Sequence, residues 1–364
     1  MKTLFQLAVA LVAAGACAEM RPDGHFGKRL DKMLANHVEA TDPVKLAALY
    51  REETKGHWQT EFWGKYMHAA VPFWRYTGSE RLGAKIAAGV QAILAVQEPG
   101  GYIGNYAPAN RYGRGWDVWG TKYTLMGLLH YYDATGDAKT LEAAKRLCDY
   151  LIAERGPKGH RELRFTGQYG GLPSLSVLEP VVWLYNRTKE PRFLAFADYI
   201  VKQMTEYPDG PELVKQADVP VADRRLTVVD KYHSWNPEHA LTKAYELMSC
   251  YQGLIEYYEA TGKKEYLDAA VKTARNIAET EVNLAGGSAA GAAVSSGVSE
   301  NDGSTEVRSS SGRAMAWPGE SQPRRTATAT SAAWNTSAQA KAQSPRMTAC
   351  RISRLQRISR SPGS

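Results

Sequence analysis

Eight residues of this chain have the types and settings to do chemistry on a polar ligand: Glu61, Trp63, Trp119, Lys122, Tyr123, Glu179, Lys243 and Glu246. They fall in four phrases, Glu61-Phe62-Trp63-Gly64-Lys65, Trp119-Gly120-Thr121-Lys122-Tyr123, Leu178-Glu179-Pro180 and Lys243-Ala244-Tyr245-Glu246. Large rings stack on the flat apolar faces of sugars, while carboxylates and amines bond hydroxyls. The same residue types also serve helix packing, with rings inside and polar tips satisfied, and each residue taken singly fits that role as well.

Other chemistry finds less support. There is no Ser-His-Asp constellation and no phosphate-cradling Gly loop after a strand. His57, His68, His130, His233 and His239 are scattered and read as satisfied surface or core histidines. Cys148 reads as a small core residue, whereas Cys250, close behind the Lys-Ala-Tyr-Glu phrase, suits either the core or a cavity wall. Neither has a CxxC or His-spaced partner, so no metal ligand and no cofactor is assigned to this chain.

The elements that must position the eight residues are visible in a repeat. It reads Tyr76-Thr77-Gly78, Asp133-Ala134-Thr135-Gly136, Asn186-Arg187-Thr188 and Glu259-Ala260-Thr261-Gly262. An aromatic-rich apolar segment precedes each copy and an Ala-rich amphipathic segment follows. Each unit is therefore predicted as helix, tight turn, helix. The copies lie about 50 to 70 residues apart, the size of a helical hairpin and its connection. The predicted hairpins are Glu61–Arg75 with Glu80–Gln97, Val118–Asp133 with Ala138–Glu154, Leu175–Tyr185 with Pro191–Thr205, and His239–Glu259 with Lys264–Glu281. Gly27–Glu39 and Val44–Arg51 lead into them, and a short β-hairpin is expected where Val219-Pro220-Val221 faces Thr227-Val228-Val229. Stacked hairpins make an open solenoid or a closed toroid. The unusual residues lie on the first helix of each hairpin, which suits a toroid with inner and outer rows.

Composition divides the chain. Residues 1–18 read as an export signal, with Lys2, an apolar run from Leu4 to Ala14, and Ala16-Cys17-Ala18 as the cleavage site. A lipoprotein anchor at Cys17 is the alternative, and either way the mature chain is expected in the periplasm or outside the cell. No other run is long and apolar enough to cross a bilayer. Residues 24–284 read as one helical domain. Residues 285–364 are dominated by Ala, Ser, Gly, Thr and Arg, with no Phe or Tyr. Such a segment buries too little apolar surface to offset its ordering entropy, so it is expected to be disordered, or to be the product of a reading-frame change near Gly286. The net charge of +7 is concentrated in that tail, where nine Arg and Lys341 face four acidic residues. The remainder is nearly neutral, and nucleic-acid binding finds no support there.

Five phrases carry a family resemblance. They are Trp58-Gln59-Thr60 with Glu61 to Lys65, Glu98-Pro99-Gly100-Gly101-Tyr102-Ile103-Gly104-Asn105-Tyr106, Trp116-Asp117-Val118 with Trp119 to Leu129, Gly171-Leu172-Pro173-Ser174 through Leu178-Glu179-Pro180, and Lys243 to Cys250. In order and spacing they resemble glycoside hydrolase family 127, the beta-L-arabinofuranosidase-like family, from about residue 24 to about residue 285. The resemblance implies an (alpha/alpha)6 toroid, a carbohydrate substrate and a retaining reaction. It also implies a cysteine thiolate nucleophile held at a zinc ion by one glutamate and three cysteines, with a second glutamate as acid/base. Zinc would be expected in an intact member. Here the likeness stops after Asn283-Leu284-Ala285-Gly286-Gly287-Ser288. No Glu-Thr-Cys and no Cys-Cys follow, and Cys350 stands alone. The family's catalytic residues thus fall beyond Leu284. Where the characterised branch presents histidines on inner helices, this chain has Tyr123, Ser174 and Lys243.

The expectation is therefore an all-α, incomplete (alpha/alpha)6 toroid of four hairpins, with the eight residues at one mouth. It is expected to belong to an exported glycoside hydrolase acting on plant-type polysaccharide side chains, inactive as written. A non-catalytic sugar-binding toroid and a solenoid binding a protein partner are the rival readings. A solenoid would spread its aromatics along an open face, whereas a sugar protein gathers them in one cavity.

Overall fold

A computed structural model describes residues 22–51, 58–113, 115–224, 241 and 243–282. The signal segment, the tail and Thr227-Val228-Val229 lie outside these residues. Ten principal helices run in the order α1 (Gly24–Met33), α2 (Pro43–Ala48), α3 (Glu61–Thr77), α4 (Glu80–Leu94), α5 (Asp117–Thr135), α6 (Ala138–Arg155), α7 (Leu178–Thr188), α8 (Pro191–Thr205), α9 (Ala244–Thr261) and α10 (Lys264–Thr280). From α3 onward they pair as four hairpins. No described helix is long and apolar enough to cross a membrane.

The repeated Thr-Gly phrase is one hydrogen-bond device used four times. Thr77, Thr135, Thr188 and Thr261 each donate a hydroxyl proton to the carbonyl four residues back, Phe73, Tyr131, Leu184 and Tyr257. Each hydroxyl also accepts from the backbone N–H two residues ahead. The next residue turns left-handed and closes the helix: Gly78, Gly136 and Gly262 in three hairpins, and Lys189 at φ 56° in the third. Ser79 and Asp137 then cap the following helix through the N–H groups of Leu82 and Lys139.

The hairpins form two rows. Inner helices pack in sequence, α3 on α5, α5 on α7 and α7 on α9, and each outer helix packs on its own inner partner. Outer helices are amphipathic: α6 buries Thr140, Ala143, Ala144, Leu147, Cys148 and Leu151, a single stripe at helical spacing. The inner helix α5 is buried on every side, as its position between two inner neighbours and an outer row demands. The core lies between the rows, where Trp63, Met67, Ile86, Val90, Leu125 and Leu128 are fully buried. Gly64 sets the closest inner contact, since a Cβ there would fall 2.0 Å from the Tyr123 carbonyl oxygen.

Boundaries differ from the sequence reading in three places. The predicted Leu175–Tyr185 helix is split into a one-turn helix Leu172–Leu175 and α7, with Ser176 and Val177 between them. The helix expected from His239 begins at Ala244, and residues 239 and 240 are not described. Val221–Asp223 forms a 3-10 turn rather than a strand. Fully buried Arg224 fastens that turn by donating to the Val219 carbonyl, the Tyr251 hydroxyl and the Thr273 hydroxyl, each at 3.0 Å.

Candidate carbohydrate-binding site

The N-terminal ends of the four inner helices meet at one mouth. Helix α3 contributes Glu61 and Lys65, α5 contributes Trp119, Lys122 and Tyr123, α7 contributes Glu179, and α9 with its N-cap contributes Lys243, Tyr245 and Glu246. Residues i, i+4 and i+7 of a helix share a face, so Glu61, Lys65 and His68 line one stripe of α3.

The contacts join all four helices. Trp119 donates its indole Nε1–H to the Glu61 carboxylate, which lies 3.0 Å from Lys65 Nζ. Lys65 Nζ stands over the rings of Trp119, Tyr123 and Tyr245. The hydroxyls of Tyr123 and Tyr245 bond each other. Lys122 Nζ is 3.4 Å from Glu179 Oε2, and both side chains are almost wholly buried. Lys243 lies over the Tyr169 ring, whose centroid is 6.1 Å from that of Trp116.

Burial sets the proton affinities. It pulls the Lys122 ammonium below the usual lysine range, against the opposing pull of Glu179. It raises Glu246, which Lys243 and Lys65 counteract only in part. Glu246 Oε2 has no hydrogen-bond partner among the described residues. Burial likewise pushes the Tyr245 hydroxyl up to about 12, with neighbouring carboxylates adding to the shift. At neutral pH the mouth therefore holds neutral phenols and a carboxyl that takes up a proton more readily than in water.

Seven of the eight sequence-derived residues gather here. Trp63 does not. Its indole is fully buried between the rows and donates Nε1–H to the Gly89 carbonyl at 3.2 Å. It stands two residues after Glu61, which turns it away from the mouth and onto α4. Trp119 and Tyr123 are at the mouth but buried, whereas Trp116, Tyr169 and Tyr245 are partly exposed. The sequence reading did not single out those three, nor Lys65. Lys65 and Tyr245 were legible inside the phrases that carry Glu61 and Lys243. Tyr169 is marked only by its conformation: it is left-handed at φ 49° and followed by Gly170 and Gly171, also left-handed.

The loop before α5 is clamped so that Trp116 is held in place. Asp117 accepts from the Tyr102 hydroxyl at 2.9 Å and from the Tyr112 N–H at 3.0 Å. Arg155 binds the carbonyls of Arg111 and Tyr112, both at 2.8 Å. The Trp116 N–H donates to the Tyr106 hydroxyl at 2.8 Å.

Further along the inner face, His68 and His130 form a pair, with Nδ1 of the first 2.7 Å from Nε2 of the second. They are therefore not the unrelated histidines that their sequence separation suggests. His57, His233 and His239 lie outside the described residues. Cys250 is buried and donates its thiol to the Leu172 carbonyl at 3.2 Å, and burial holds its pKa up, as it does that of Cys148. Neither is poised as a thiolate. No group of three His, Cys, Asp or Glu among the described residues could hold a metal ion, so these residues do not fit the zinc site the resemblance implies.

The sequence model of the beta-L-arabinofuranosidase GH127 catalytic domain matches residues 25–228. No curated protein matches the chain. Among solved structures, one described as a glycoside hydrolase superposes with a TM-score of 0.50 at 14% identity, over 74% of this chain and 37% of its own. A GH127 beta-arabinofuranosidase superposes with a TM-score of 0.52 at 17% identity, over 74% and 44%. A GH127 beta-L-arabinofuranosidase from Geobacillus stearothermophilus T6 matches at 14% identity and a TM-score of 0.49, over 72% and 43%. At such identities the likeness to the first two establishes the fold, a helical toroid. The chain spans less than half the length of each.

Proposed function

This chain belongs to the GH127 beta-L-arabinofuranosidase family of glycoside hydrolases, and from that premise we propose that its mouth binds a sugar of plant-type polysaccharide side chains. The observation that carries the reading is the convergence of rings, amines and carboxylates from four separate hairpins on one mouth. Aromatics gathered in this way favour a sugar ligand over a protein partner spread along a solenoid face. Trp116 and Tyr169 are partly exposed at the mouth and suit stacking on a sugar face. Glu246, with one oxygen unsatisfied and its carboxyl raised, suits a hydrogen bond to a sugar hydroxyl.

The proposal places the chain in an exported enzyme and takes the described part as its binding half. A retaining glycosidase needs a nucleophile and an acid/base a few Å either side of the anomeric carbon. Cys250 is capped by a carbonyl and burial keeps its thiol protonated, so the chain as written is expected to bind without cleaving. Saturation-transfer NMR with L-arabinose-containing oligosaccharides tests binding, and Glu246→Gln and Tyr169→Ala should each weaken it. Incubation with an aryl beta-L-arabinofuranoside, with and without zinc, should give no hydrolysis. Turnover that survives chelation and vanishes in Glu246→Gln would show a complete site and overturn the reading.

A further inference from the structure

Lys65 stands inside a three-walled aromatic box. The Trp119 ring meets Tyr123 at 76° and Tyr245 at 86°, with centroids 5.1 and 5.3 Å away. Lys65 Nζ lies 5.7, 4.9 and 4.9 Å from the Trp119, Tyr123 and Tyr245 centroids. Glu61 closes the box with a carboxylate 3.0 Å from that nitrogen, itself fixed by the Trp119 indole. Ring faces carry negative potential, so perpendicular rings around a carboxylate make a receptor for a cation. Two of the chain's own cations are present: Lys65 against all three rings, and buried Lys122, paired with Glu179, whose Nζ lies 5.1 and 5.3 Å from the Trp119 and Tyr123 centroids.

The Lys65 occupant is exchangeable by construction. The Lys65 side chain is 31% exposed, so the box is open on one side, and its flexible stem allows it to swing out without backbone movement. Its departure would leave Glu61, only 8% exposed, without its ion-pair partner and with the Trp119 indole N–H as its hydrogen-bond donor. A sugar hydroxyl does not restore the lost charge, whereas a second ammonium does. Glu246 adds a further carboxylate near enough to act on Lys65.

We infer that Glu61, Trp119, Tyr123 and Tyr245 form a cation-binding box with Lys65 as its built-in occupant, and that the ligand displacing Lys65 is a glycoside carrying a free ammonium group. The amino-sugar half of this inference rests on the carbohydrate reading above; the cation half does not.

The test is binding of tetramethylammonium, glucosamine and neutral N-acetylglucosamine to the full chain and to Lys65→Met, followed by intrinsic tryptophan fluorescence. With the competing ammonium removed, Lys65→Met should bind both cations at least about tenfold more tightly than the parent. N-acetylglucosamine should show no such gain, and adding Glu61→Gln should abolish it. The parent chain gives a measurement that needs no variant. Saturating tetramethylammonium should move the Lys65 Cε proton resonances from ring-shielded to ordinary positions. Equal affinity in parent and Lys65→Met, or unchanged Lys65 resonances, overturns the box. Tetramethylammonium binding without glucosamine binding overturns the amino-sugar ligand alone. An L-arabinose-containing oligosaccharide titrated in parallel reads the carbohydrate proposal separately, because its failure beside retained cation binding removes that reading and leaves the box standing.

Discussion

Lys122 and Glu179 face each other at 3.4 Å with almost no water to share. Two charges in such a place are held by mutual attraction, and each is costly without the other. Replacing Glu179 with Gln should therefore destabilise the fold by about 3 to 5 kcal/mol, because an uncompensated ammonium remains inside. The double variant Lys122→Met, Glu179→Leu should recover most of that loss, since two apolar side chains need no partners. Urea denaturation of the three variants decides the matter, and additive losses in the double variant would show that the two residues do not act as a pair.

At the scale of the element, the turn device separates what is shared from what is local. Three hairpins use Gly in the left-handed position and the third uses Lys189, which carries a Cβ penalty there. Lys189→Gly should stabilise the protein by about 1 kcal/mol, and Gly136→Ala should destabilise it by a similar amount, both read as shifts in thermal midpoint. The inner row is more sensitive. A methyl at Gly64 would meet the Tyr123 carbonyl at 2.0 Å, an atom of the backbone that has no rotamer to change. Gly64→Ala should force α3 and α5 apart and destabilise by about 3 kcal/mol, the upper end for overpacking. It should also disturb the mouth, seen as weakened oligosaccharide binding at temperatures where the variant is still folded.

For the whole molecule, the buried histidine pair ties stability to pH. Burial, with His68 close by, lowers His130 from 6.5 to about 3 in the fold, while Asp133 opposes and Arg187 and Arg75 assist. His68 is also lowered, by burial and by Lys122. Between pH 6.5 and about 3 the unfolded chain therefore binds more protons than the folded one. Stability is full above that window and falls as pH drops through it, by up to about 1.4 kcal/mol per pH unit for each histidine. Urea midpoints from pH 7 to pH 4 should fall less steeply in His68→Gln, His130→Gln than in the parent. Parallel slopes would mean that the pair does not contribute.

The hairpin repeat was readable in the chain because its cause is local. A threonine bonding back four residues and a left-handed residue after it need nothing beyond their own turn, so the phrase and the structure coincide at Thr77, Thr135, Thr188 and Thr261. The outer helices were readable for a related reason, since one face meets water and the other does not. The family phrases carried the toroid. What the sequence left open is the rotation of each inner helix. Helix α5 is buried all round, so no apolar stripe says which of its residues face the axis. Trp63 and Lys65 lie two positions apart and differ entirely in fate, one sealed against Gly89 and the other standing in the mouth. That choice was made by the close contact of α3 with α5 at Gly64 and Tyr123, a meeting of residues far apart in the chain. The pairing of His68 with His130 follows from the same contact, and only the packed inner row could decide it.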